Sequence, residues 1–410
     1  MTETERVRDM HKRMWVMLVL ALVLALVSAP LGGCTATSDG DGTPADAGDE
    51  PKEPYVVGAV LSLTGAQSGL GGPEKNAIDM EVARINEEGG INGHPLEVII
   101  EDDASDVDQA IARTTKLIEQ DGVVAIIGST GTGQSMAMRD VIDAAGIPQV
   151  SLAGSLVITK DFDPLVFQTP WSNALVVDTT LEYLKAEGHT KVGLITEDTG
   201  FGKDGQALVN ETAADYGLEV VSDQVFKPAD TDMTGQLTVI KGAGADVVLM
   251  WSSVAASSIV PKNMAQLGMD IPLVGSHGIA RQEFVDSAAD AAEGVVMFAG
   301  KILAPEAYGV GSESYEAATA FIDRYTETYG EAPTNTFAGH AYDGLYLVVE
   351  ALKRLDEGFT SADLRDEIEK TSGFAGIGGV FTFSATDHNG MTADDLVGYV
   401  ASGGAWTLLE

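Results

Sequence analysis

Val123-Val124-Ala125-Ile126-Ile127-Gly128-Ser129-Thr130-Gly131-Thr132-Gly133-Gln134-Ser135 is the stretch on which the fold turns. Its first five residues are apolar and mostly β-branched, which suits a short strand buried on both faces. Glycines then break the run, and the amphipathic stretch Gln134–Ala145 reads as a helix. Strand, glycine turn and helix make half of a parallel βαβ unit. The same rhythm extends in both directions. Tyr55–Leu61, Leu96–Ile100, Lys191–Ile195, Asp246–Met250 and Gly294–Phe298 read as strands, and Glu74–Asn86, Asp106–Glu119, Ala174–Glu187, Gly205–Tyr216, Tyr315–Tyr329 and Ala338–Leu355 as helices. The expectation is an α/β fold whose parallel sheets are covered on both faces. A chain of 410 residues is too long for one such sheet. The strand Val166–Thr169, followed by Pro170-Trp171-Ser172-Asn173, reads as a crossover into a second lobe.

The turn after Val123–Ile127 invites three catalytic readings. Gly128 through Ser135 has P-loop spacing, but Gln134 stands where a lysine must reach the phosphates. Gly131-Thr132-Gly133 opens a helix as a dinucleotide fingerprint would, yet Met136 occupies the third glycine position. Gly133-Gln134-Ser135-Met136-Ala137 approaches a nucleophile elbow, which leaves a serine hydrolase with Ser135 as nucleophile and His277 or His340 as base as the enzymatic alternative. The simpler reading is that a glycine- and threonine-rich turn entering a helix offers free backbone N–H groups to a carboxylate, with Thr132 beside them.

Lys and Arg number 24 against 62 Asp and Glu, for a net charge of −38. Such a surface repels phosphate backbones, which excludes nucleic acid as a partner. The six histidines show no metal-ligand spacing and no acid/base pair of carboxylates stands out, so neither metal nor cofactor is expected. Cys34 is the one cysteine, which rules out an intrachain disulfide or a cysteine-rich zinc site. Upstream of it lie Arg6, Arg8, Lys12 and Arg13, then the apolar run Met14–Ala29. That run is shorter than the ~20 residues of a membrane span, and residues 1–33 read as a secretory signal. Leu31-Gly32-Gly33-Cys34 resembles the lipobox of bacterial lipoproteins, which implies an acylated Cys34 at the mature N-terminus. Residues 34–54, rich in Asp, Gly and Pro, read as a flexible acidic tether.

Three longer stretches carry a wider resemblance: Val57 through Gly65, Ile85-Asn86-Glu87-Glu88-Gly89-Gly90-Ile91-Asn92-Gly93-His94-Pro95-Leu96, and Glu101-Asp102-Asp103-Ala104-Ser105-Asp106. With Phe201-Gly202-Lys203-Asp204-Gly205, Asp290-Ala291-Ala292-Glu293-Gly294 and Gly339-His340-Ala341-Tyr342-Asp343 they resemble the leucine/isoleucine/valine-type solute-binding proteins of ABC importers, the type 1 periplasmic binding protein fold, over residues 55–410. The resemblance implies two Rossmann-like lobes joined by three hinge crossovers, with the ligand held in the cleft between them. Lobe one would be residues 55–171 plus 300–375, and lobe two residues 172–299 plus 376–410. A lipid-anchored monomer outside the cytoplasm, passing a small carboxylate to a membrane permease, follows as the function. A sensory ligand-binding module on the same fold, acting through a partner, is the alternative.

The resemblance also implies site residues. Thr132, Gly133 and Ser155 would hold a ligand carboxylate, with the Ala153 carbonyl as an acceptor. Phe201 and Trp251 would be apolar walls, and Leu70 stands where a large aromatic is common. His277 replaces the acidic residue that takes the ammonium of amino-acid ligands. Either Glu197 or Asp198 serves instead, or the ligand is a hydrophobic or aromatic carboxylate without an α-amino group, whose far polar end His277 reads.

Overall fold

The computed structural model describes residues 52–410; the expected signal segment 1–33, Cys34 and the expected tether as far as residue 51 lie outside the described residues. Strands β1 (Tyr55–Leu61), β2 (Leu96–Asp102), β3 (Ile126–Gly128), β4 (Gln149–Ser151) and β5 (Val166–Gln168) form an all-parallel sheet in the order β2-β1-β3-β4-β5. Val57, Ala59, Val60 and Leu61 of β1 are all fully buried, as a strand covered by helices on both sides must be. The helix Phe337–Lys353 packs within the core of this sheet and is buried on almost every face, which explains why its sequence is mostly apolar, with His340 and Asp343 as buried exceptions.

A second sheet contains β6 (Lys191–Glu197), β7 (Glu219–Phe226), β8 (Val247–Trp251), β9 (Leu273–Gly275) and β10 (Val296–Ala299), all parallel in the order β10-β9-β8-β6-β7. Counted from the first strand of each sheet, the two orders are the same. In both, the strand order reverses between the first and third strands, at β1/β3 and at β6/β8. Open α/β sheets bind ligands at the carboxyl ends of strands at such a reversal.

The second sheet is not wholly parallel. After the two-stranded ribbon β11 (Phe374–Ala375) and β12 (Val380–Phe381), the hairpin β13 (Val397–Ser402) and β14 (Ala405–Leu408) joins the edge of β10 antiparallel. Its turn is Gly403-Gly404, both at positive φ, where a side chain would be strained. The three-residue strands β4 and β9 are too short to show a period in sequence, and only their neighbours make them strands.

One expected boundary moves. Residues 376–389, assigned above to lobe two, belong with the first sheet: Ile377, Phe381 and Phe383 lie in its core. His388 bonds the Val166 carbonyl through Nδ1 at 2.9 Å, and the Asn389 amide donates to the Pro170 carbonyl at 2.8 Å. The chain therefore passes to the second sheet between Asn389 and Leu396, the latter lying in a core of the second sheet. Apolar residues on β12 and beyond it set this, since Gly376-Ile377-Gly378-Gly379 only resembles a hinge in sequence. Asp343 holds that glycine turn by accepting from the Ile377 and Gly378 N–H groups.

Trp171 packs where three segments meet. Its ring lies against Gly300 and its Nε1 donates to the Gly378 carbonyl at 3.0 Å. A methyl group on Gly300 would overlap the indole ring. Gly300→Ala is expected to destabilise the protein by about 1–3 kcal/mol, the usual cost of overpacking a tight core; a denaturation midpoint equal to wild type would show that Trp171 can yield.

Candidate functional site

The carboxyl ends of both sheets open into one cleft, with about 350 Å³ of space between its walls when the open solvent at its mouth is included. From the first sheet come Gln67 and Leu70 after β1, Thr130 and Thr132 after β3, Leu152 and Gly154 after β4, and Pro170 after β5. From the second come Phe201 after β6, Ser253 after β8, and His277 and Gly278 after β9. The helix Phe337–Lys353 adds Phe337 and His340 from its first turn. No Asp, Glu, Lys or Arg is among these lining residues.

Thr132 and Ser155 meet directly, hydroxyl to hydroxyl at 2.7 Å. Thr132 starts the short helix Thr132–Ala137, so its N–H and that of Gly133 lie outside the intrahelical ladder. Gly200 comes so close across the cleft that a Cβ on it would sit 3.0 Å from the Gly133 nitrogen. A polar chain fixes these hydroxyls. Trp251 Nε1 donates to Asn173 Oδ1 at 3.0 Å, the Asn173 amide donates to Asp204 at 2.8 Å, and Asp204 also accepts the Leu156 N–H at 2.8 Å. Trp251 thus lies behind the wall, its ring centroid 6.3 Å from that of Phe201, and does not line the cavity itself. Ala153 and Ser155 flank the lining residue Gly154, and Gly133 lines the neighbouring mouth beside Gly200.

The carboxyl groups near the cleft are engaged except at Glu74 Oε1, which is buried without a partner. Glu197 is fully buried and accepts from the Ser252 hydroxyl (2.7 Å), the Ser253 N–H (2.8 Å) and hydroxyl (3.0 Å), the Val254 N–H (3.0 Å) and the Thr199 hydroxyl (2.6 Å). Asp198 pairs with Lys203 at 2.8 Å on an exposed face. Glu74, behind Thr130, accepts that residue's hydroxyl, and burial pushes its pKa up to about 8. At neutral pH it holds its proton and carries no charge. Arg281, buried behind the lining, donates to the Ser253 carbonyl at 2.7 Å and the Gly278 carbonyl at 3.1 Å, and so holds two cleft loops in place.

His277 and His340 are both buried, and burial lowers each to a pKa of about 3. They are therefore uncharged imidazoles at neutral pH. Neither nitrogen of His277 has a hydrogen-bond partner, and Nδ1 of His340 has none. The hydrolase reading fails on the same geometry. Ser135 donates to the Ser129 carbonyl at 2.9 Å and bonds Ser151 Oγ at 2.9 Å, while no histidine bonds it.

Sequence reasoning reached Leu70, Thr132, Phe201 and His277 among the lining residues. It passed over Gln67, Thr130 and Ser253, although the position just past a strand end was available as a signal. His340 was read only as a possible base, because a lone histidine inside an apolar helix looks like core. Among the described residues no group of three or more His, Cys, Asp or Glu is placed to hold a metal ion, and none of their helices is long and apolar enough to cross a membrane.

Two repeated α/β sheets with a polar, glycine-lined cleft between their carboxyl ends define a solute receptor, and the chain belongs to the periplasmic binding protein family, whose model matches residues 54–405. Leu/Ile/Val-binding protein homolog 7 of Brucella abortus is 24% identical over 348 residues, covering 81% of this chain and 86% of that protein. The substrate-binding protein LivJ of Streptococcus pneumoniae, solved in complex with isoleucine, superposes with a TM-score of 0.76 at 27% identity, covering 86% of this chain and 97% of that one. An extracellular ligand-binding receptor of Rhodopseudomonas palustris shares the fold with a TM-score of 0.81 at 23% identity, covering 87% and 99%. These relatives are solute-binding proteins rather than enzymes.

The two imidazoles tie stability to pH. An unfolded histidine takes up a proton near pH 6.5, whereas the folded cleft resists until about 3, so stability present above 6.5 is lost as pH falls through that window. At pH 5 the loss should be about 2 kcal/mol per imidazole. His277→Phe and His340→Phe should each flatten the difference between denaturant midpoints at pH 7 and pH 5; a slope unchanged in both variants would show that the imidazoles are not held neutral.

Proposed function

We infer that the protein is an extracytoplasmic receptor of an ABC importer, which closes its cleft on a small hydrophobic or aromatic carboxylate lacking an α-ammonium group and passes it to the permease. The observation that carries this reading is the absence of any charged side chain from the cavity lining, with His277 neutral. A buried ammonium without a carboxylate partner costs several kcal/mol. A ligand carboxylate, by contrast, finds the Thr132 and Ser155 hydroxyls and the N–H groups of the Thr132–Ala137 first turn. Phe201, Phe337, Leu70 and Leu152 supply apolar wall. The relatives favour a second reading, since one is named for leucine, isoleucine and valine and LivJ was solved with isoleucine; there the ammonium would have to find uncharged acceptors.

Calorimetry on the mature protein separates the two. Hexanoate, phenylacetate or 4-methyl-2-oxopentanoate should bind, and Thr132→Ala or Ser155→Ala should each weaken the best of them by about 1–3 kcal/mol. Tight binding of leucine, isoleucine or valine with these acids inert would return the protein to the amino-acid readers. The proposed membrane anchor has its own check: mass spectrometry of the processed protein should find an acylated Cys34 at the N-terminus, and an N-terminus at Met1 or an unmodified Cys34 would remove the anchor.

A further inference from the structure

His277 and His340 reach the same cavity from opposite sides, one from the loop after β9 and the other from the first turn of the helix Phe337–Lys353. His277 meets the aromatic rings of Trp171, Phe201 and Trp251 edge-on, with centroids 5.2–6.2 Å away, and the two indole N–H groups are spent on the Gly378 carbonyl and Asn173 Oδ1. In front of its Nε2 stands Gly154, where a side chain is missing: a Cβ there would lie 2.5 Å from that nitrogen. His340 meets Trp171 and Phe337 in the same edge-on manner and has Nδ1 unpaired. Among the described residues, these two cleft-lining histidines carry three buried nitrogens without a partner.

A neutral imidazole has one N–H donor and one bare nitrogen acceptor. With nitrogens of both imidazoles orphaned, the pair can present an N–H on one ring and a bare nitrogen on the other, and each left unpaired is costly in a desolvated site. An ammonium offers donors alone and meets only bare nitrogens. A carboxylate offers acceptors alone and meets only N–H groups. A hydroxyl offers both.

We propose that His277 and His340 form a two-imidazole reader for the far end of the ligand, selecting a carboxylic acid that carries a distal hydroxyl. This rests on the carboxylate reading above and narrows it to a ligand class. The hydroxyl accepts from the N–H of one imidazole and donates to the bare nitrogen of the other, so that a single group bridges residues brought in from both sides of the cleft. His340 becomes a specificity-determining residue by this argument.

The test uses matched pairs on the mature protein by calorimetry: 4-hydroxyphenylacetate against phenylacetate, and 6-hydroxyhexanoate against hexanoate. In wild type the hydroxylated member of at least one pair should bind about tenfold tighter or better. His277→Phe and His340→Phe should each reduce that ratio to within about threefold, and His340→Asn, which keeps a donor and an acceptor, should retain more of it than His340→Phe. Thermal melting of each variant establishes that it is folded, and the wild-type ratio stands even if a phenylalanine variant is not. If the acids bind with no preference for the hydroxyl, or the ratio survives in both phenylalanine variants, the reader is refuted while the carboxylate reading stands. If none of the four acids binds, with or without binding of leucine, the carboxylate reading fails and takes this one with it.

Discussion

The carboxylate of Glu197 sets the conditions for the rest of the site. It lies at the end of β6, fully buried, and is tolerated there because it collects hydroxyl and N–H donors from Thr199, Ser252, Ser253 and Val254. Those donors come from the start of the helix Gly200–Thr212 and from the loop after β8, so one charge stitches the two sides of the strand-order reversal together. Phe201 and Ser253 face the cavity because their neighbours are held this way. The same bonds leave Glu197 no free lone pair to offer a ligand cation. Glycine at 202 is part of the arrangement, since a Cβ there would collide with the Glu197 carbonyl.

With Glu197 occupied, the cleft works without formal charge. Glu74 is kept protonated by burial, the imidazoles are kept bare by burial, and Arg281 spends its guanidinium on loop carbonyls. Recognition then depends on matching donors to acceptors and on apolar area, both of which need a closed, dry cavity. The approach of Gly200 to Gly133 and of Gly154 to His277 supplies that closure with bare backbone where side chains would hold the walls apart. The net charge of −38 acts through the long-range field rather than through the cavity lining.

The hinge region shows how one side chain can serve several segments. Trp171 touches Gly300 and bonds the Gly378 carbonyl, and its ring meets both His277 and His340 edge-on. One packed residue outside the cavity lining thus joins the segments at Gly300 and Gly378 to both imidazoles.

The alternation of apolar strands and amphipathic helices, written in residues such as Tyr55–Leu61 and Asp106–Glu119, was enough by itself to determine a doubled parallel α/β fold, because burial on two faces leaves a local signature of composition and period. The glycine turn after β3 likewise marked a place of close backbone approach, and Thr130 and Thr132 of that turn line the cavity. What lay beyond reading was anything decided by pairing across the fold. The hairpin β13–β14 joins its sheet by an edge contact with β10, and residues 376–389 side with the first sheet through Ile377 and Phe383, contacts separated by tens to hundreds of positions. Glu197 looked available in sequence and is consumed in the structure; His340 looked like core and faces the cleft. A side chain's charge state and its free hydrogen-bonding capacity depend on which partners come within about 3 Å, and that distance is set by tertiary packing rather than by neighbours along the chain.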